Sequence, residues 1–261
     1  MGGIALASPL VASAGDAPIK PQIIGGMPAP TGAYPFMASI QLIRGETYEH
    51  FCGGVLVSDR HVLSAAHCYG NPDPSGMRIV LNRTNLSDEL SGQVRGIAKG
   101  TIHPLYGTSL DHGYDLVILE LDEPVEGIEP VELAPRGVLV DNVQVRTLGW
   151  GMTVDGEYDS GTEYLQMIDL PHVNAVTCKA IHSQFEWHPV TVNVKTDMCA
   201  GGEPGRSACH GDSGGPLLVK LWGSDKFLLA GLTSRGRSLT CSDAPGIFTS
   251  VMSDELWNTM Y

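Results

Sequence analysis

Residues 209–216 read Cys-His-Gly-Asp-Ser-Gly-Gly-Pro. One serine stands among three glycines, with an aspartate immediately before it. A serine hydroxyl is a weak nucleophile at neutral pH and needs a base beside it. It also needs backbone N–H groups aimed at the oxyanion it creates, and glycine permits the tight turn that aims them. Gly211 and Ser213 offer two such amides. The segment is inert alone, so it constrains the fold. A histidine and an aspartate from distant parts of the chain have to converge on Ser213.

Candidates for both exist. Residues 64–68 read Ser-Ala-Ala-His-Cys and residues 114–121 read Tyr-Asp-Leu-Val-Ile-Leu-Glu-Leu. His67 is assigned as the base and Asp115 as the group that orients it. The chain order is therefore His67, Asp115, Ser213, whereas unrelated hydrolase folds use other orders. Further segments fall in sequence around these three. They are Ile23-Ile24-Gly25-Gly26, Cys52-Gly53-Gly54-Val55-Leu56, Gly149-Trp150-Gly151, Ser234-Arg235-Gly236 and Pro245-Gly246-Ile247-Phe248-Thr249. Over roughly residues 23–261 the chain resembles the chymotrypsin-like (trypsin family, S1) serine endopeptidases.

The resemblance implies an all-β fold of two antiparallel Greek-key β-barrels packed together, with a short C-terminal helix. The residues point the same way. Many short apolar runs, among them Phe36–Ile43, Val143–Gly149, Pro216–Leu221 and Lys226–Thr233, are broken by turn residues in a chain with Gly 32 and Pro 17. The first barrel is expected at about 23–134 and the second at about 135–251. Between them, Glu123–Pro135 holds three prolines and reads as a connector. Ser253-Asp254-Glu255 reads as an N-cap and acidic first turn for a helix over about 253–261. With His67 and Asp115 in one barrel and Ser213 in the other, the active site is expected in the cleft between them.

No apolar run reaches the length of a membrane-spanning helix. The net charge of −13 argues against nonspecific nucleic-acid binding. The expected partners are polypeptide substrates and possible protein protease inhibitors, with no nucleic acid and no membrane, for a monomer. Six cysteines allow fifteen pairings, and the resemblance selects Cys52–Cys68, Cys178–Cys199 and Cys209–Cys241. An even cysteine count without CxxC or HExxH points to an oxidising compartment, and no metal or cofactor is expected. His50, His61, His112, His172, His182 and His188 show no metal-ligand spacing, and His103 resembles a structural segment. The adjacent Asp88 and Glu89 read as solvated surface. Two sequons begin at Asn82 and Asn85, and they matter only in a eukaryotic secretory route.

The stretch Ile4–Ala14 is apolar and ends in small residues, like the back half of a signal peptide, and Asp16–Gln22 would then be a short propeptide. The alternative for 1–22 is a disordered terminus. Secretion, extracellular or periplasmic, follows from the first reading. In the family a cut before the equivalent of Ile23 frees an ammonium that pairs with the carboxylate matching Asp212. The family usually offers Arg or Lys before the cut, whereas this chain has Gln22, and Lys20 is followed by Pro21. A different protease, or stepwise removal of 1–22, is the expected route.

The resemblance also assigns the substrate pocket. Ser207 matches the selector at its base, Gly236 and Gly246 its walls, and Ala208 adds no charge. Without an acidic residue at the base, a basic side chain has no partner. A large apolar or aromatic residue before the cut is expected. Ser234 matches the serine that supports the triad aspartate, or is an ordinary strand serine. Arg235 replaces the family's usual tryptophan and either favours acidic groups in neighbouring subsites or points to solvent. His210 contacts substrate or is an exposed loop histidine. Two other classes compete with a peptidase: a catalytically silent relative that binds partners, and a serine esterase on another fold. The intact set of three residues argues against the first, and the chain order His67, Asp115, Ser213 against the second.

Overall fold

A computed structural model describes residues 23–70, 74–108, 113–185, 190–237 and 240–260. The leader expected over 1–22, with Gln22, lies outside the described residues, as do His112, His188 and Tyr261. Strand β1 (Met27–Pro28) comes first. It is followed by β2 (Met37–Arg44), β3 (Thr47–Leu56), β4 (His61–Ser64), β5 (Met77–Leu81), β6 (Gln93–Arg95), β7 (Ile97–Ile102) and β8 (Val117–Leu121). Then come β9 (Gln144–Gly149), β10 (Gln166–Val173), β11 (Asp197–Gly201), β12 (Pro216–Lys220), β13 (Phe227–Arg235) and β14 (Pro245–Ser250). The helices are α1 (Ala66–Tyr69), α2 (Ala175–His182) and α3 (Asp254–Asn258).

The strands form two antiparallel sheets. One has the order β6-β5-β2-β3-β4-β8-β7 and curls into a half-barrel. The other runs β10-β11-β14-β13-β12-β9, and β9 also pairs with β10, which closes a six-stranded barrel. Closure removes free sheet edges. Strand β1 adds to the outside of β10, with Met27 opposite Met167, so the chain visits the second sheet before it builds the first.

Each sheet has its own core. Ala38, Ile40, Leu56, Val62, Ile79, Leu81, Val117 and Leu119 fill the half-barrel. Val145, Ile168, Leu170, Leu217, Val219, Leu228 and Phe248 fill the closed barrel, together with Ile23. A third apolar layer joins them. It packs Leu63 and Leu116 against Leu148, Trp150, Leu218, Leu229 and Leu256. This layer packs the two sheets against each other.

The helix at the C-terminal end is shorter than the sequence suggests. Ser253 caps it, its hydroxyl accepting from the Leu256 N–H at 3.2 Å. His103 ties α3 to the half-barrel. Its Nδ1 accepts from the Leu105 N–H (3.2 Å), so Nε2 carries the proton and donates to the Leu256 carbonyl (2.8 Å). That accounts for His103 structurally. Helix α2, capped by Asn174, was not anticipated from the sequence. The Cys178–Cys199 disulfide pins it to β11.

Candidate active site

His67 lies in the single turn of α1, immediately after β4. The Cys52–Cys68 disulfide fastens this turn to β3. Asp115 lies just before β8 and is 4% exposed. Because β4 and β8 are neighbours in the half-barrel, pairing Ser64 with Val117 brings the two residues together. His67 Nδ1 and Asp115 Oδ2 are 2.8 Å apart, and the His67 backbone N–H donates to Asp115 Oδ1 at 3.0 Å. The two oxygens of one carboxylate therefore hold the ring and the backbone of His67.

A third bond reaches Asp115 from the other barrel. The Ser234 hydroxyl donates to Oδ2 at 2.6 Å. Ser234 sits where β13 slips against β14: Thr233 pairs with Phe248 and Arg235 with Ile247, leaving Ser234 unpaired. Such a bulge redirects a side chain out of the strand's alternation. Burial pushes the Asp115 carboxyl up, but the bonds from His67 and Ser234 more than offset it and hold the group below its ordinary value.

Ser213 lies in the tight turn before β12. Gly214 there has φ +75°, and a Cβ at that position would run into Ser64 Oγ. The Gly53 N–H donates to the Ser213 carbonyl at 2.7 Å, and the Gly214 N–H to the Thr233 carbonyl at 2.7 Å. Both barrels thus grip the turn. His67, Asp115, Ser213 and Ser234 line one cavity of about 360 Å³. Among the described residues, no hydrogen bond joins Ser213 Oγ to His67. Such bonds are commonly long before substrate binds.

The same cavity is lined by Ser207, Ala208, His210, Arg235, Gly236 and Gly246. The sequence did not single out Tyr106, Thr233 or Phe248, which line it too. Ser207 is 3% exposed, and its hydroxyl donates to the Ala208 carbonyl at 2.8 Å. The Cys209–Cys241 disulfide forms one side. Asp155 braces that side, accepting from the Cys241 N–H (2.8 Å) and the Ser242 hydroxyl (2.7 Å). His210 is exposed and packs at a tilt of 39° against Tyr158, with ring centres 5.0 Å apart. The Arg235 guanidinium takes neither orientation considered from the sequence. It turns inward, to the Asp197 carboxylate, the Thr191 carbonyl and the Ser234 hydroxyl.

Asp212 is fully buried. Its oxygens accept from the Gly151 and Cys209 N–H groups, each at 2.8 Å. Burial pushes its carboxyl up to about 7, and the two amides only partly offset this. Ile23 is also fully buried, and the Ile24 carbonyl accepts from the Ser207 N–H at 3.1 Å. The segment that opens the described chain therefore runs beside the cavity base. His50, one of the histidines set aside for lack of metal spacing, proves central here. It links Ser39 Oγ (2.8 Å) to the Gly211 carbonyl (2.9 Å) and packs against Trp150. Burial lowers it to about 4, against the pull of the Gly211 bond, so it is neutral at pH 7. No local pattern marks His50, because its partners are 11 and 161 residues away.

The family described as Trypsin matches residues 23–257. Chymotrypsin-like elastase family member 1 of Canis lupus familiaris is 32% identical over 248 residues, covering 90% of each chain. Trypsin of Phaedon cochleariae is 34% identical over 245 residues, covering 90% of this chain and 86% of the relative. Chymotrypsin-C of Bos taurus is 30% identical over 247 residues, covering 92% and 88%. The chain belongs to the trypsin family of serine endopeptidases.

Proposed function

We propose that the chain is a secreted endopeptidase in which Ser213, His67 and Asp115 act as a catalytic triad, and that it cuts after large apolar or aromatic residues. The observation that carries the reading is the His67–Asp115 pair, bonded at 2.8 Å and sharing one cavity with Ser213. Asp115 Oδ2 accepts from Nδ1–H, which leaves Nε2 as the ring's acceptor. Ser213 Oγ attacks the scissile carbonyl carbon as its proton passes to Nε2. The tetrahedral oxyanion is received by the Gly211 and Ser213 amides. Among the described residues neither amide donates to a protein acceptor. Collapse expels the amine, which takes the proton from Nε2 and leaves an acyl-enzyme. Water then repeats the sequence and releases the acid.

The preference rests on the cavity walls. A Cβ on Gly236 would meet nothing within 4 Å, and one on Gly246 would make only ordinary contact with the Phe248 ring. There is room for a large side chain. Asp115 is the one carboxylate among the described lining residues, and it is engaged by His67 and Ser234. A lysine or arginine entering the pocket would lose its hydration without gaining a counter-charge. Secretion fits the three disulfides. For activation, the reading is a cut between Gln22 and Ile23, whose new ammonium pairs with Asp212.

An organophosphonyl fluoride tests the triad. The processed protein is expected to label at one site, and Ser213→Ala to abolish labelling. Folded, processed protein that does not label rejects the proposal. Peptides differing only in the residue before the cut test the pocket, and preferential cutting after arginine or lysine overturns the preference.

A further inference from the structure

The pair Arg235–Asp197 has no part in the chemistry described so far. Asp197 opens β11 and its side chain is fully buried, and Arg235 closes β13 with its side chain 17% exposed. Removing two charges from water is costly, and such a pair commonly adds little net stability. What it does supply is position. Arg235 NH2 binds Asp197 Oδ2, which also accepts from the Asn193 N–H at 2.8 Å. Nε and NH2 donate to the Thr191 carbonyl at 3.2 and 2.9 Å. With those bonds made, NH1 is left aimed at Ser234 Oγ, 3.1 Å away.

The consequence follows from donor and acceptor chemistry. A guanidinium only donates, and a hydroxyl has a single hydrogen. Because NH1 donates into the Ser234 oxygen, that oxygen's own hydrogen is directed elsewhere, and Asp115 Oδ2 is 2.6 Å away. A hydroxyl that accepts from a cation is also polarised into a stronger donor. The chain of bonds is continuous from Asp197 through Arg235, Ser234 and Asp115 to His67.

We infer that Arg235 is a positioning residue: held by Asp197, it fixes the Ser234 hydroxyl on Asp115 and sets the charge felt by the His67–Asp115 pair. The inference rests on the triad reading above. Its corollary is that the Arg235 charge is already engaged within the fold, so it confers no preference for acidic residues in the substrate. Among the described residues, Asp115 and Tyr106 lie on its triad side, and His182, Arg237 and Asp243 on the far side.

The test is the pH dependence of kcat/KM on a small ester substrate that fills only the main pocket. Arg235→Gln removes a cation near the base, and the acid limb should move up by about half a pH unit. Asp197→Asn takes the Asp197 carboxylate from that cation, and the limb should move down by a similar amount. Limbs that stay in place, or that shift the same way in both variants, overturn the inference. The Arg235→Gln/Asp197→Asn double variant leaves no buried unpaired charge and serves if a single variant does not fold. It should lower kcat about tenfold with KM nearly unchanged. With Ser234→Ala already present, it should cost nothing more. Additive losses would mean that the pair acts by some route other than Ser234. Phosphonyl fluoride labelling of the unmutated protein separates the two claims. Failure to label rejects the triad, whereas labelling with unmoved limbs rejects only the role of Arg235.

Discussion

Asp115 and Asp212 are both buried carboxylates close to Ser213, and they are held in opposite states. Asp115 accepts from a histidine side chain, a serine hydroxyl and a backbone amide, and is kept below its ordinary value. Asp212 has two backbone amides, and burial pushes it up to about 7. The contrast shows that burial alone opposes charge, and that what decides the outcome is the number and kind of donors. Asp115 has its complete set. Asp212 has room in its energetics for a cation, and the ammonium of a cut at Ile23 would supply one.

The largest effect expected from breaking this contrast is at Asp115. Asp115→Asn keeps the shape but presents an amide to His67, and kcat/KM should fall by about 10⁴-fold. A loss below tenfold in a peptide-cleavage assay would remove Asp115 from the mechanism. Asp212→Asn in protein cut before Ile23 should cost less, about 10²–10³-fold, because it disturbs the oxyanion amides without touching the base. Unchanged kcat in that variant would separate Asp212 from catalysis.

A smaller effect is expected at His50, which holds the Gly211 carbonyl beside Asp212. In the folded protein it is lowered to about 4 from the ordinary imidazole value of 6.5, so the folded state favours the neutral ring. Its contribution to stability is present above about 6.5 and is lost as pH falls toward 4. His50→Gln should remove that acid sensitivity while costing about 1–3 kcal/mol at pH 7. Denaturant titrations at pH 7 and 4.5 read both. An unchanged difference between the two pH values would contradict the assignment.

Much of this was legible in the sequence for a physical reason. Ser213, His67 and Asp115 each sit in a local motif, because a tight turn, a disulfide-fastened helical turn and the approach to a strand demand particular neighbours. The all-β character follows from short apolar runs punctuated by glycine and proline, whereas the division into two barrels came from the family resemblance. What was not legible depends on approach through space. The inward turn of Arg235 depends on Asp197, 38 residues away. The aim of Ser234 depends on a register slip between β13 and β14. Strand β1 joins the second sheet although it precedes the first in the chain. No local pattern encodes these pairings.

The most direct test of the contrast compares Asp212 before and after the cut. In uncut protein its folded value is raised, so the folded state binds more protons between about pH 4 and 7, and stability falls as pH rises through that window. After the cut the ammonium favours the charged carboxylate, and that slope should vanish. The measurement is the unfolding free energy of Ser213→Ala protein, with and without Asp212→Asn, cut and uncut, from pH 4 to 7. Subtracting the Asn variant cancels His50 and every other titrating group. In uncut protein the stability of the Asp form relative to the Asn form should drop on the order of 4 kcal/mol across the window. In cut protein the difference should be flat from pH 5 to 7. A flat difference in uncut protein, or the same drop in both forms, would contradict the account.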